Sequence, residues 1–185
     1  MPDAGGTRDR NARHVVLVGA MGSGKSTVGV LLATALDRPF VDNDVQLQKR
    51  TGATAAELSE LEGVDALHHA ESESLLAALD APGASVVAAA ASTITDPAVR
   101  AALRRRAFVV WLRAGPAALA ARLPRSGNRP FAAEDPAGVV ARQARERDPL
   151  FEQSADLAIA SDRSTPDAVV AAIVEKLPGA SRNSR

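Results

Sequence analysis

His14-Val15-Val16-Leu17-Val18 runs directly into Gly19-Ala20-Met21-Gly22-Ser23-Gly24-Lys25-Ser26-Thr27, and this stretch decides the fold. The apolar run reads as a buried parallel strand. The residues after it fit G-x-x-x-x-G-K-[ST], a phosphate-binding loop set between a strand and a helix. The chemistry explains the spacing. Gly19, Gly22 and Gly24 permit backbone angles closed to other residues and let N–H groups crowd a phosphate chain. Lys25 brings a cation to the β and γ phosphates, and Ser26 offers a hydroxyl to Mg²⁺. The following helix turns its positive N-terminus towards the anion. Gly22, Ser23, Gly24, Lys25, Ser26 and Thr27 are therefore the expected contacts to ATP. An ordinary glycine turn would rarely match this pattern with a strand before it and an amphipathic helix after it.

Outward from this loop, strand and helix patterns alternate. Further buried strands are expected at Pro39–Val41, Ser85–Ala89, Ala107–Leu112 and Leu157–Ala160. Helices are expected at Ser26–Leu36, Val64–Leu79, Pro97–Arg105, Pro116–Arg122, Pro136–Arg147 and Pro166–Leu177, several opening with the proline favoured at a helix start. The alternation predicts an α/β P-loop sandwich with a parallel sheet. Residues 14–177 form the expected domain, between flexible polar tails at 1–13 and 178–185. Pro124–Asp135, polar and carrying Gly and Pro between two helices, reads as a lid over a ligand.

Composition narrows the function. The 185 residues suit one domain, and 46% are apolar. Lys+Arg and Asp+Glu balance at 22 each, which argues against a basic nucleic-acid-binding surface. No cysteine is present, so disulfides and Cys-ligated metal are excluded, and His14, His68 and His69 lack the HExxH spacing of a zinc site. The N-terminus lacks a signal-peptide core, and no apolar run is long enough to span a bilayer. The expectation is a cytoplasmic monomer that meets ATP and a small hydroxylated metabolite, without nucleic-acid or membrane partners.

The second strand ends in Phe40-Val41-Asp42-Asn43-Asp44. Ligands of open parallel sheets bind beyond the carboxyl ends of strands. Asp42 there suits Mg²⁺, together with Ser26, and Asp44 suits a substrate hydroxyl that must be oriented towards the γ-phosphate. The structural alternative makes Asp44 the cap of a helix from Val45. The Arg104-Arg105-Arg106 set reads as charge matched to a helix C-terminus, and Trp111 as core.

These features together resemble the shikimate kinases over about His14 to Leu177. The resemblance rests on Gly19–Thr27, on Phe40–Asp44 and on Gly52 followed by a helix. It continues through Glu62-Gly63 leading to Glu71, Thr95–Leu103, Asn128-Arg129-Pro130-Phe131 and Asp148-Pro149-Leu150-Phe151. It implies a five-stranded parallel sheet and ATP with Mg²⁺. It further implies transfer of the γ-phosphoryl group to a hydroxyl, by default from shikimate to shikimate 3-phosphate. Lys25, Asp44 and Arg129 would be catalytic, with Arg129 on the lid bridging the phosphates. Arg122 would stack on adenine, and Pro166 would lie on the adenine side.

The departures from the family pattern gather on the acceptor side. His68 stands where the resemblance implies an arginine, Ala90-Ala91-Ser92 where it implies a glycine triplet, and Glu152 where it implies a second arginine. Asp44, His68, Ala91, Ser92 and Glu152 are the expected substrate contacts. A His and a Glu would not clamp a carboxylate as two arginines do. The expectation is therefore a weak acid site, unless an arginine such as Arg142 or Arg145 turns in. A different polyol, sugar or amino alcohol as acceptor, and a non-catalytic ATP-binding regulator, are the alternatives. Nucleoside monophosphate kinases usually need more lid arginines than Arg125 and Arg129, and no Asn-Lys-x-Asp guanine motif is present.

Overall fold

The computed structural model describes residues 13–122 and 136–178. The expected lid, Arg129 within it, and nearly all of both expected tails lie outside those residues.

Five strands form one parallel sheet: β1 (His14–Val18), β2 (Phe40–Asp42), β3 (Val86–Ala88), β4 (Ala107–Arg113) and β5 (Leu157–Ala160), in the order β2-β3-β1-β4-β5. Val16 of β1 pairs with Val87 on one side and Val109 on the other. β1 is thus central, with neighbours reached by connections on opposite sides. That is the switch point where open α/β sheets leave a crevice at the strand carboxyl ends.

Both sheet faces are covered, which explains the apolar runs. Side chains alternate along a strand. Val16 and Val18 pack with Val87, Val109 and Trp111 beneath α4 (Val64–Asp80), α5 (Pro97–Arg106) and Phe151 of α7 (Pro136–Ser154). Val15 and Leu17 pack with Val86, Val110 and Leu112 beneath α1 (Lys25–Ala35) and α8 (Pro166–Lys176). Two further helices follow β2, α2 (Asn43–Thr51) and α3 (Ala55–Glu62), and a short α6 (Pro116–Arg122) follows β4. Trp111 is core, as expected, and stacks on Phe151 with ring centroids 5.9 Å apart.

Two differences from the sequence pattern matter to the site. The helix considered from Val45 begins at Asn43, and its cap is Asp42, whose side chain accepts the Asp44 N–H. Asp44 is therefore not the cap. The helix expected to end at Arg147 runs through Pro149 to Ser154. Proline in a helix loses one N–H bond and crowds the preceding turn. Burial of Phe151 against Trp111 offsets that penalty and keeps Arg147 inside a continuous helix.

Candidate functional site

Backbone geometry shapes the phosphate loop. Gly19 has φ +144, and a Cβ there would lie 2.6 Å from the Leu112 carbonyl oxygen of β4. Gly24 caps α1 with φ 93, and no side chain caps the helix. The first N–H groups of α1 are thus left to an external acceptor, which suits an anion. Ser23 is fully buried under the loop, Gly22 lies in it, and Ser26 and Thr27 are exposed on the first turn of α1.

Lys25 folds back over this cradle. Its Nζ donates to the carbonyls of Gly19 and Ala20, both at 2.9 Å. Burial lowers its pKa to about 8, with Arg147 acting in the same direction and Asp44 and Asp42 opposing. The lysine is thus a cation at pH 7, but one whose charge is poorly solvated until an anion arrives.

Asp42 links the loop to the second strand. The Ser26 hydroxyl donates to its Oδ2 at 2.8 Å, and the Asp44 N–H donates to its Oδ1 at 3.0 Å. A hydroxyl and a carboxylate side by side next to a phosphate cradle are hard oxygen donors of the kind Mg²⁺ takes. Among the described residues no cluster of three His, Cys, Asp or Glu is present, and Mg²⁺ held here would complete its shell with phosphate oxygens and water. Asp44 lies beyond the cap on the first turn of α2, within electrostatic reach of Lys25.

The nucleotide side continues through Arg122. Its guanidinium donates to the Gly22 carbonyl at 3.2 Å and to the Ser161 carbonyl after β5 at 3.3 Å. The residue ties the phosphate loop to the segment leading to Pro166. Pro166 is exposed at the first position of α8, behind Thr165, whose hydroxyl accepts the Ala168 N–H.

The acceptor side requires a correction. Glu152 is exposed near the end of α7 and cannot stand for a buried clamp. Arg142 and Arg145 are exposed as well. The cation this helix turns inward is Arg147, four residues before the buried Phe151 and so on the same helical face. Burial lowers its pKa, while the Glu71 carboxylate opposes the shift, and its charge is felt at Lys25 and His68. The sequence signal was the i, i+4 spacing from Arg147 to Phe151, overlooked because the family resemblance was matched at Glu152, directly after Pro149-Leu150-Phe151.

His68 is half-buried on α4, and burial together with Arg147 lowers its pKa while Asp65 opposes. His69 is exposed, with its Nε2 3.5 Å from a Glu73 carboxylate oxygen. Ala91 is half-buried on the turn after β3, and Ser92 beside it is buried. The Ser92 hydroxyl is given to the Glu71 carboxylate. The structure therefore brings Lys25, Ser26, Asp42, Asp44, His68 and Arg147 to one end of the sheet, and leaves Glu152 out.

The shikimate kinase family model matches residues 21–178. The chain is 40% identical to a shikimate kinase of Symbiobacterium thermophilum over 167 residues, covering 89% of this chain and 95% of that one. It is 36% identical to a shikimate kinase of Pseudoalteromonas atlantica, covering 89% and 96%. The fold superposes on a shikimate kinase from Acinetobacter baumannii, solved in complex with shikimate, with TM-score 0.84 at 30% identity over 90% of this chain and 93% of that one. A P-loop with a paired Ser26 and Asp42 and an inward arginine on α7 thus sit in a chain matched to one family over nearly its whole described length, and the chain belongs to the shikimate kinase family.

Proposed function

We propose that the protein transfers the γ-phosphoryl group of ATP to a hydroxyl of shikimate, with Mg²⁺ held at Ser26 and Asp42. The observation that carries the acceptor assignment is Arg147: a half-buried permanent cation whose charge acts on both His68 and Lys25, suited to the carboxylate of a hydroxy acid. The likeness to a relative solved with shikimate supports the same acceptor.

Each residue then has a physical task. The Gly22–Thr27 backbone and the uncapped α1 N-terminus receive the phosphates. Lys25 exchanges the Gly19 and Ala20 carbonyls for phosphate oxygens, regaining charge compensation lost through burial. Mg²⁺, when bound, supplies further positive charge to the phosphates. Asp44 accepts a hydrogen bond from the acceptor hydroxyl, orients it and takes its proton as transfer proceeds. Arg147 pairs with the carboxylate, and His68, neutral near pH 7, adds one donor. Arg122 and Pro166 border the base. Arg129 is assigned to the transferring phosphates on the family resemblance of Asn128-Arg129-Pro130-Phe131.

Steady-state kinetics test this function. Turnover of shikimate is measured beside a panel of neutral polyols, sugars and amino alcohols, with the product identified by phosphorus NMR. Shikimate should give the highest kcat/KM. A neutral or cationic alcohol that outperforms it tenfold or more would overturn the acceptor assignment.

A further inference from the structure

Ser92 is 6% exposed, on the turn that follows β3, and its hydroxyl donates to Glu71 Oε2. Glu71 is 8% exposed on α4, and its main-chain carbonyl accepts a bond from Asn43 Nδ2 at 3.3 Å. Asn43 lies between Asp42 and Asp44, so Glu71 is tied by its backbone to the metal-side segment and by its carboxylate to Ser92. Its negative charge acts on both Arg147 and Lys25, in each case opposing the effect of burial. Among the described residues Arg147 Nε is buried with no hydrogen-bond partner. Of the charges acting on Arg147, the Glu71 carboxylate opposes burial most strongly, and α7, which carries the arginine, packs against the 3₁₀ turn Thr93–Thr95, immediately after Ser92. A glycine, which the family resemblance implies at this position, would have no hydroxyl to give.

We infer that Ser92 is a positioning residue of the acceptor site: its hydroxyl fixes the Glu71 carboxylate, and Glu71 in turn sets the Arg147 guanidinium that receives the acid. Ser92 then touches no substrate. A buried carboxylate that loses a donor reorients towards whatever donors remain. Arg147 and Lys25 both feel the Glu71 charge, so loss of the serine hydroxyl should pull Arg147 out of register with the acceptor. The nucleotide cradle, built mainly from backbone, should be disturbed far less. The kinetic consequence rests on shikimate as acceptor, whereas the structural one does not.

The test compares Ser92→Ala and Ser92→Thr with the unmodified protein, using two readouts. The first is the Arg147 Nε–H cross-peak in a nitrogen-15 spectrum of the ligand-free protein, assigned by its loss in Arg147→Lys. The second is KM for shikimate against KM for ATP. Ser92→Ala should shift or broaden the cross-peak and raise the shikimate KM roughly tenfold, the scale of one hydrogen bond to a charged group. The ATP KM should stay within about twofold of its original value on the same grounds, and Ser92→Thr should restore both readouts. An unmoved cross-peak overturns the inference, as does a KM that rises equally for both substrates or for neither. If the unmodified protein does not phosphorylate shikimate, the proposed function fails and the cross-peak alone decides the inference. Should Ser92→Ala not fold, Glu71→Gln keeps the shape and removes the charge. It must then move the Arg147 cross-peak, and failure to do so overturns the inference.

Discussion

The two halves of the site are built in different ways. The nucleotide half is a single contiguous stretch, Gly19–Thr27, whose function lies in backbone N–H groups, one lysine and one hydroxyl. Its shape follows from local rules: glycines at positive φ, a strand before and a helix after. The acceptor half is assembled from side chains on α2, α4, the turn after β3 and α7, separated by dozens of residues. Its character depends on which face of each helix turns inward, and on α7 that face carries Arg147, whereas Glu152 is exposed.

The contrast can be broken most sharply at Lys25. Lys25→Ala should lower kcat by roughly 10²–10³-fold or more, the scale of removing one preorganised charge or donor from a transition state. The fold should survive, because among the described residues Lys25 bonds loop carbonyls and no core group. Near-normal kcat in this variant would remove the lysine from the mechanism.

Arg147→Gln should act on one half only. Loss of a charge-assisted pair costs about 2–5 kcal/mol when the partner charge stays buried, so kcat/KM for shikimate should fall about a hundredfold or more. KM for ATP should change little. Glu152→Gln should leave both constants near their original values, because Glu152 is exposed. A large Glu152 effect with a small Arg147 effect would restore Glu152 as the acceptor residue.

pH separates the halves a third way. Lys25 loses its proton as pH rises through about 8 in the ligand-free protein. kcat/KM for ATP should therefore fall above that pH, and nucleotide binding near pH 8 should take up protons, visible as buffer-dependent heats in calorimetry. A flat profile from pH 7 to roughly 9, a range spanning the lysine's shifted value, would contradict its lowered pKa.

The smallest expected effect belongs to His68. Its pKa is lowered below the usual 6.5, chiefly by burial and then by Arg147, with Asp65 opposing. It is neutral at pH 7 and gains charge only as pH falls below its ordinary range. KM for shikimate should then improve a few-fold on acidification, and His68→Gln should abolish that change. The same lowered pKa means that the unfolded chain binds more protons in this window, so folding stability falls with acid. His14 adds to this loss: burial lowers its pKa too, and its Nδ1 accepts the Ser85 N–H. Stability that did not fall below pH 6.5 would contradict both lowered values.

Much of the fold was legible because parallel strands buried on both faces read as continuous apolar runs, and β1, β3 and β4 stand within those runs, while the edge strand β5 lies where it was expected with Ala158 and Ala160 exposed. The sheet order was not legible, since pairing of β1 with both β3 and β4 is a long-range choice that no local pattern encodes. The start of α2 was open between two caps for a related reason. Asp42 and Asp44 are both competent caps, and the pairing of Asp42 with Ser26 from another element selects the first.

By itself, then, the sequence determined the phosphate cradle, the Asp42–Asp44 segment and the α/β class. In each, the chemistry lies in neighbouring residues whose conformations are set by near-neighbour sterics. Only the tertiary structure decided that Arg147 and not Glu152 is turned inward on α7, and that Ser92 gives its hydroxyl to Glu71. The first of these outcomes depends on a helix carried through Pro149 by the packing of Phe151 on Trp111. The burial of one aromatic ring there outweighs the local preference of proline to end a helix, and no residue-by-residue rule contains that balance.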